Sequence, residues 1–320
     1  MIRILRGEVY MKPNGYTRLR QIALAAALAL MALLLIGAQS GQQRRFSSPA
    51  KAAAAMIRAT QYGDMEELAM ILGPDSKEFL SSGDPVADRN DRERVVRKYE
   101  EMNRLVIEPD ESVVLYLGAE NWPFPIPLTE KNGVWFFDTA RGKEEILFRR
   151  IGRNENGTLD TLASLVEAQK EYASKARDGR PPQYAQKLLS DKGRQNGLYW
   201  ETREGEPSSP IGSLVVEARD EGYGKPSAGA PVPFHGYVYR MLTSQGKDAP
   251  GGAMSYIVNG AMTRGFAFIA YPANYRNSGV MTFIVGKDGV IFQKDLGPDT
   301  THVAGAITAF DPDKTWEIAE

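Results

Sequence analysis

His235 lies between Phe234 and Gly236, where a β-branched and aromatic run begins. A histidine so placed could act as a general base, which requires a pKa near working pH and a hydrogen-bond partner. Asp295 and Glu221 are the candidate carboxylates; the competing reading is a half-buried structural histidine at a sheet edge. A second group is Arg149, Arg150 and Arg153 beside Glu155. Guanidinium forks suit bidentate contact with a carboxylate or another anion. The alternative is a solvated helix face that pairs with acids of a neighbouring domain. A third group is Asp84 and Asp88, within the polar stretch Ser81–Arg89. That stretch reads as an unusually long loop between helices, and such loops are functional or disordered.

Other chemistries lack their residues. The chain has no cysteine, which removes disulfides, thiol catalysis and thiolate metal sites. A Gly-x-Ser-x-Gly elbow and the Gly-rich phosphate loops are absent, and Gly246–Gly252 reads as a long hairpin loop. The second histidine, His302, is distant from His235 and expected on the surface, so a His-rich metal site is not available. Arg177–Arg180 offers one carboxylate, too few for a calcium loop. Residues 41–320 carry 34 basic and 39 acidic side chains, without a basic stripe, which argues against nucleic acid as a partner. Adjacent acids such as Glu66 and Glu67 do not face each other on a helix and read as solvated. No cofactor and no metal are expected. A binding role is favoured over an enzymatic one.

These groups need elements to hold them. Ser48-Pro49 predicts a capped helix over Ala50–Tyr62, ended by Gly63-Asp64, followed by a short helix over Met65–Leu72. A charged helix is predicted over Asp91–Asn103. Strands follow at Glu111–Leu117, Phe124–Thr129 and Val134–Asp138, the last two joined by a Lys131-Asn132-Gly133 turn. Arg141–Ala173 reads as one long helix, or two, broken near Asn154–Gly157, with Leu159, Leu162, Leu165, Val166, Gln169 and Tyr172 on one face. Short helices are predicted over Tyr184–Leu189, Ile211–Glu221 and Thr301–Ala309. Four short runs between Phe234 and Gly297, with Asp288-Gly289 as a turn, predict an antiparallel meander. The fold class is α+β, in two parts: 46–140, helices with a curved antiparallel sheet, and 141–320, a long helix, a helical insert and a meander.

The N-terminus carries Arg18-Leu19-Arg20, an apolar run from Ile22 to Ala38, and Ala38-Gln39-Ser40 of cleavage-site form. Residues 1–40 therefore read as a secretory signal or an uncleaved membrane anchor, with the start at Met1 or Met11. Either way the body is expected outside the cytoplasm: periplasmic, or held to the inner membrane through this segment alone.

Three resemblances add to this. The helix, Gly-Asp, helix, then Asn-Gly and Trp-Phe-Phe-Asp order of the first part resembles nuclear-transport-factor-2-like and cystatin-like domains, which implies a pocket between helix and curved sheet. The second part, with Gln169–Ala173 ending its helix and Gly236–Tyr239 opening its sheet, is similar to the globular part of pseudopilins, although a prepilin processing site is missing. Across the chain, Trp122-Pro123-Phe124-Pro125-Ile126-Pro127-Leu128, Arg149-Arg150-Ile151-Gly152-Arg153-Asn154-Glu155, Glu221-Gly222-Tyr223-Gly224-Lys225 and Phe234-His235-Gly236-Tyr237 resemble a bacterial family catalogued as domain of unknown function 2950. That resemblance implies an exported envelope protein and no activity. The expectation is a non-enzymatic binding or assembly module whose partner is an envelope protein or a small ligand. The alternative is a periplasmic hydrolase using His235 with a nearby carboxylate.

Overall fold

The computed structural model describes residues 43–203, 205–224 and 232–319. The predicted signal or anchor, residues 1–40, lies outside them. Among the described residues no helix is long and apolar enough to cross a membrane.

In the first half, helix α1 (Pro49–Tyr62) starts as its sequence dictates. Ser48 accepts a hydrogen bond from the Lys51 amide (3.3 Å), Pro49 takes the first helical position, and Gly63 ends it in a left-handed conformation. Helix α2 (Met65–Leu72) follows after Asp64 caps it. A short 3-10 turn spans Pro74–Glu78. Helix α3 (Pro85–Glu101) begins six residues before the expected Asp91. Most of the supposed loop Ser81–Arg89 is therefore helix entry, because Asp84-Pro85 is an N-cap followed by an N1 proline.

Strand β1 (Asn103–Ile107) was not expected; it starts where the helix was carried too far, and pairs antiparallel with β2 (Val113–Leu117). The strand expected at Phe124–Thr129 is displaced. A short β3 (Trp122–Pro123) and then β4 (Leu128–Lys131) stand in its place. Pro123, Pro125 and Pro127 lack the N–H groups a ladder needs, so regular pairing resumes only at Leu128. The Asn132-Gly133 turn, both residues at positive φ, joins β4 to β5 (Val134–Phe137). The sheet order is β1-β2-β4-β5, with β3 beside β2.

Helix α4 (Thr139–Ala173) is one unbroken helix of 35 residues. Of the two readings, one long helix or two broken near Asn154–Gly157, the single helix is the one present. Asn154 sends its amide outward to the Ser278 carbonyl (2.9 Å) instead of competing with its own backbone. Gly142 lets the helix start lie against the first half: a Cβ there would stand 2.5 Å from the Pro125 oxygen. Further along, Leu162, Leu165, Val166, Gln169 and Tyr172 are buried against the second half. The Gln169 amide exchanges two 2.9 Å bonds with the Ala185 backbone. That contact, and a 2.8 Å bond from the Tyr184 amide to the Met262 carbonyl, hold 184–189 as a bent segment with a bridge at each end rather than the expected helix.

After α5 (Gly212–Asp220) comes β6 (Tyr237–Leu242). Two minor hairpins follow, β7 (Ser244–Gln245) with β8 (Met254–Ser255) and β9 (Ile257–Val258) with β10 (Ala261–Met262). The meander is then β11 (Ala267–Pro272), β12 (Met281–Gly286) and β13 (Ile291–Asp295), followed by α6 (Thr300–Ala306) and β14 (Glu317–Ile318). The second sheet is fully antiparallel in the order β14-β13-β12-β11-β6. Two antiparallel sheets with helices segregated against them make an α+β fold with two hydrophobic cores. One helix serves both.

Candidate functional site

Two clefts open where α3 and α4 face each other. The first, of about 390 Å³, lies among α1, α2, α3, the 122–125 segment and the first half of α4. Its floor is apolar, from Met56, Leu68, Leu72, Phe79, Phe124 and Ile146. Its walls carry Arg92, Arg94 and Lys98 from α3 and Arg149, Arg150 and Arg153 from α4, against two acids, Asp88 and Asp91. The spacing of the α4 arginines puts Arg149 and Arg153 one turn apart, with Arg150 turned further inward.

Arg150 is half-buried and donates to two neutral acceptors, the Phe79 carbonyl (2.7 Å) and the Asn277 side-chain oxygen. Burial lowers its pKa, while the charges of Asp88 and Asp91 act the other way. Neither acid is in contact with it. Asp88 is buried, and both its carboxylate oxygens accept from the Ser82 amide (3.1 and 3.0 Å). Asp91 holds Arg153 (2.8 Å) and Arg94 (3.1 Å). Arg149 pairs with Glu145 (2.6 Å) and lies over the Trp122 ring.

The second cleft, of about 520 Å³, contains His235, Glu221, Tyr223, Asn154 and Gly157. Asp91, Arg94 and Arg153 line both clefts, so their ion pairs form the partition between them. His235 Nε2 is 2.5 Å from Glu221 Oε2. That contact calls for a proton on Nε2, and Nδ1 lies on the side of Gly157. The Glu221 carbonyl is held in turn by Asn90 (3.0 Å). The His235 ring stacks on Phe234 (4.0 Å between centroids), and its backbone sits at φ 50°. Strained φ values of this kind collect at functional sites, where surrounding contacts over-determine them.

Those contacts centre on Asp84, which is 1% exposed. One oxygen accepts from the Val86 and Ala87 amides (both 3.1 Å) as the α3 cap. The other accepts from the Tyr223 hydroxyl (2.8 Å) and the Gly236 amide (3.0 Å). The Tyr223 hydroxyl also accepts from the His235 amide (3.1 Å). Burial, and the Asp84 charge beside it, push the Tyr223 pKa well above the ordinary tyrosine value. The residue before β6 is thereby tied to the start of α3.

The sequence candidates thus separate. His235, Glu221 and Arg153 share the second cleft; Arg149, Arg150, Arg153 and Asp88 share the first; Asp84 is buried behind His235. Glu155 lines neither; it accepts from the Val280 and Met281 amides (2.8 and 2.9 Å) and fastens α4 to β12. Asp295 is not brought to His235. It accepts from the Tyr275 hydroxyl (3.1 Å) and the Gly297 amide (2.7 Å), at the exposed end of β13. Asn277 was missed. Asn277 lies in the turn between β11 and β12, yet donates to the Glu78 and Ser81 carbonyls of the first half (2.5 and 2.8 Å). Its only local signal is an Asn in a turn, and its partners lie about 200 residues away in the chain.

The class that fold and clefts define is a two-core α+β protein with its cavities at the junction. By sequence the chain belongs to the family described as protein of unknown function (DUF2950), whose pattern matches residues 43–319. No curated protein and no solved structure matches it.

Proposed function

We propose that this is an exported, non-enzymatic binding protein whose ligand is a small, partly apolar molecule held in the first cleft. The observation that carries this is the cleft itself. It has the volume of a ligand site and a floor of apolar side chains, the usual make-up of small-molecule pockets, under walls that carry six cations and two acids. The export half of the proposal rests on the basic, apolar and small-residue order of residues 1–40. An envelope protein partner is the other occupant in keeping with this reading. Native mass spectrometry of the full chain purified from a bacterial envelope fraction tests it. The expected result is an adduct that organic extraction removes. A bare mass, together with no thermal shift across a panel of apolar and amphiphilic molecules, would overturn it. Recovery of the chain in the cytoplasm with residues 1–40 intact would remove the export half.

One contact favours a second reading, hydrolysis. The His235–Glu221 pair sits in an open cleft, with the carboxylate orienting the ring and Nδ1 free to take a proton from water. If so, ester hydrolysis by the full chain should fall by about 100-fold or more in His235→Gln. Equal rates in the two proteins end this reading.

A further inference from the structure

Apolar volume alone does not account for the cations around the first cleft. Its two acids are already engaged, Asp88 by the Ser82 amide and Asp91 by Arg94 and Arg153. Lys98 and Arg149 have carboxylate partners of their own in Glu120 and Glu145. Arg92 and Arg150 form no ion pair among the described residues. Both are partly buried. Arg150 carries the stronger case, because two of its N–H groups already go to neutral oxygens and burial works against its charge. A charge drawn away from water is normally paired. Here the guanidinium lines the first cleft, beside its apolar floor.

We infer that the ligand is a single-chain amphiphile with an anionic head, its chain on the Met56, Leu68 and Phe124 floor and its head between Arg150 and Arg92. This rests on the binding reading above and adds the chemistry of the head. An anion without a chain would leave the floor wet, and a chain without an anion would leave Arg150 unpaired. Phosphate and carboxylate heads satisfy the same guanidinium forks, so the head is assigned by its charge.

Calorimetric titration of the full chain with dodecyl phosphate, dodecanoate, dodecanol and inorganic phosphate tests this. The two anionic amphiphiles are expected to bind at least tenfold more tightly than dodecanol, with no binding of inorganic phosphate at the same concentrations. In Arg150→Gln that preference should fall below about threefold. Because Arg150 also holds Phe79 and Asn277, Arg92→Gln provides a second variant without those contacts, and it should lower the preference as well. Equal affinity for dodecanol and dodecyl phosphate, or a preference that survives both substitutions, overturns the anionic head and leaves the apolar site standing. Binding of inorganic phosphate as tight as that of dodecyl phosphate overturns the amphiphile. If none of the three chain-bearing compounds binds, the first cleft is not a ligand site and the binding reading falls too.

Discussion

The two halves treat their interiors differently. The second half fills its sheet: all six residues of β11 are buried, and Phe266, Phe268 and Phe283 are at most 1% exposed. The first half buries a helix of small residues, Ala52, Ala53, Ala55 and Ala59, and leaves a cleft where larger side chains could have met. Filled cores give rigidity, and unfilled ones give room for something else. The binding proposal builds on that difference: in it the second half serves as scaffold, and the first half, with the junction, takes the ligand.

The contrast can be broken most directly by truncation on each side. Phe268→Ala is expected to cost about 3–5 kcal/mol in urea unfolding, whereas Leu68→Ala, which faces the cleft, should cost about 2 kcal/mol or less. Equal losses would mean that the first cleft is closed in solution. Asp84→Ala comes next. It removes a helix cap and leaves the Tyr223 hydroxyl and the Gly236 amide without their acceptor, for about 2–4 kcal/mol. Amide hydrogen exchange should rise at residues 84–88 and 234–237 together; a rise in only one of them would show that the halves are not tied there. Gly236→Ala should cost about 1–3 kcal/mol, since its Cβ would meet the Asn154 amide nitrogen at 2.5 Å and φ is 78°. A neutral result would mean that α4 and this turn are not in contact.

Alkaline titration is the gentlest test. Burial raises the pKa of Tyr239 and Tyr256, each to about 12, and both belong to the second half. Their folded pKa lies above the unfolded value of 10.0, so this stabilisation is complete below pH 10 and is lost as pH rises through 12. The counterpart in the first half is Tyr116, whose pKa is raised chiefly by its hydrogen bond to Glu108. The fall in stability of the whole chain above pH 10 should therefore be flattened more by Tyr239→Phe with Tyr256→Phe than by Tyr116→Phe, and the opposite order would reverse the contrast.

What was legible in the chain was local. Ser48-Pro49 with Gly63, Asn132-Gly133 and Asp288-Gly289 each hold their own turn or cap, and the structure puts them where the residue types require. Asp84-Pro85 carried an equally local signal, obscured by the polar residues around it. The segment 184–189 was misread as helix because Gln169 and Met262, which hold its start out of a helix, lie well away from it in sequence. The site followed the same rule. Glu221 was a candidate beside His235, while the Asp84–Tyr223–Gly236 contacts join residues more than 130 positions apart and leave no local trace. Asp295, the other candidate, is claimed by Tyr275 in the turn between β11 and β12.

Helix α4 has a consequence for how the molecule could be divided. Its 35 residues run about 52 Å, and both cores are built on it. A fragment ending at residue 140 would lose Ile146 and Leu147 from the first core. One beginning at 141 would carry a helix whose opening turns have nothing to lie on. The two cores are therefore expected to melt as one cooperative unit, and a molecule gripped near Arg150 would steady the meander at the other end of the same beam.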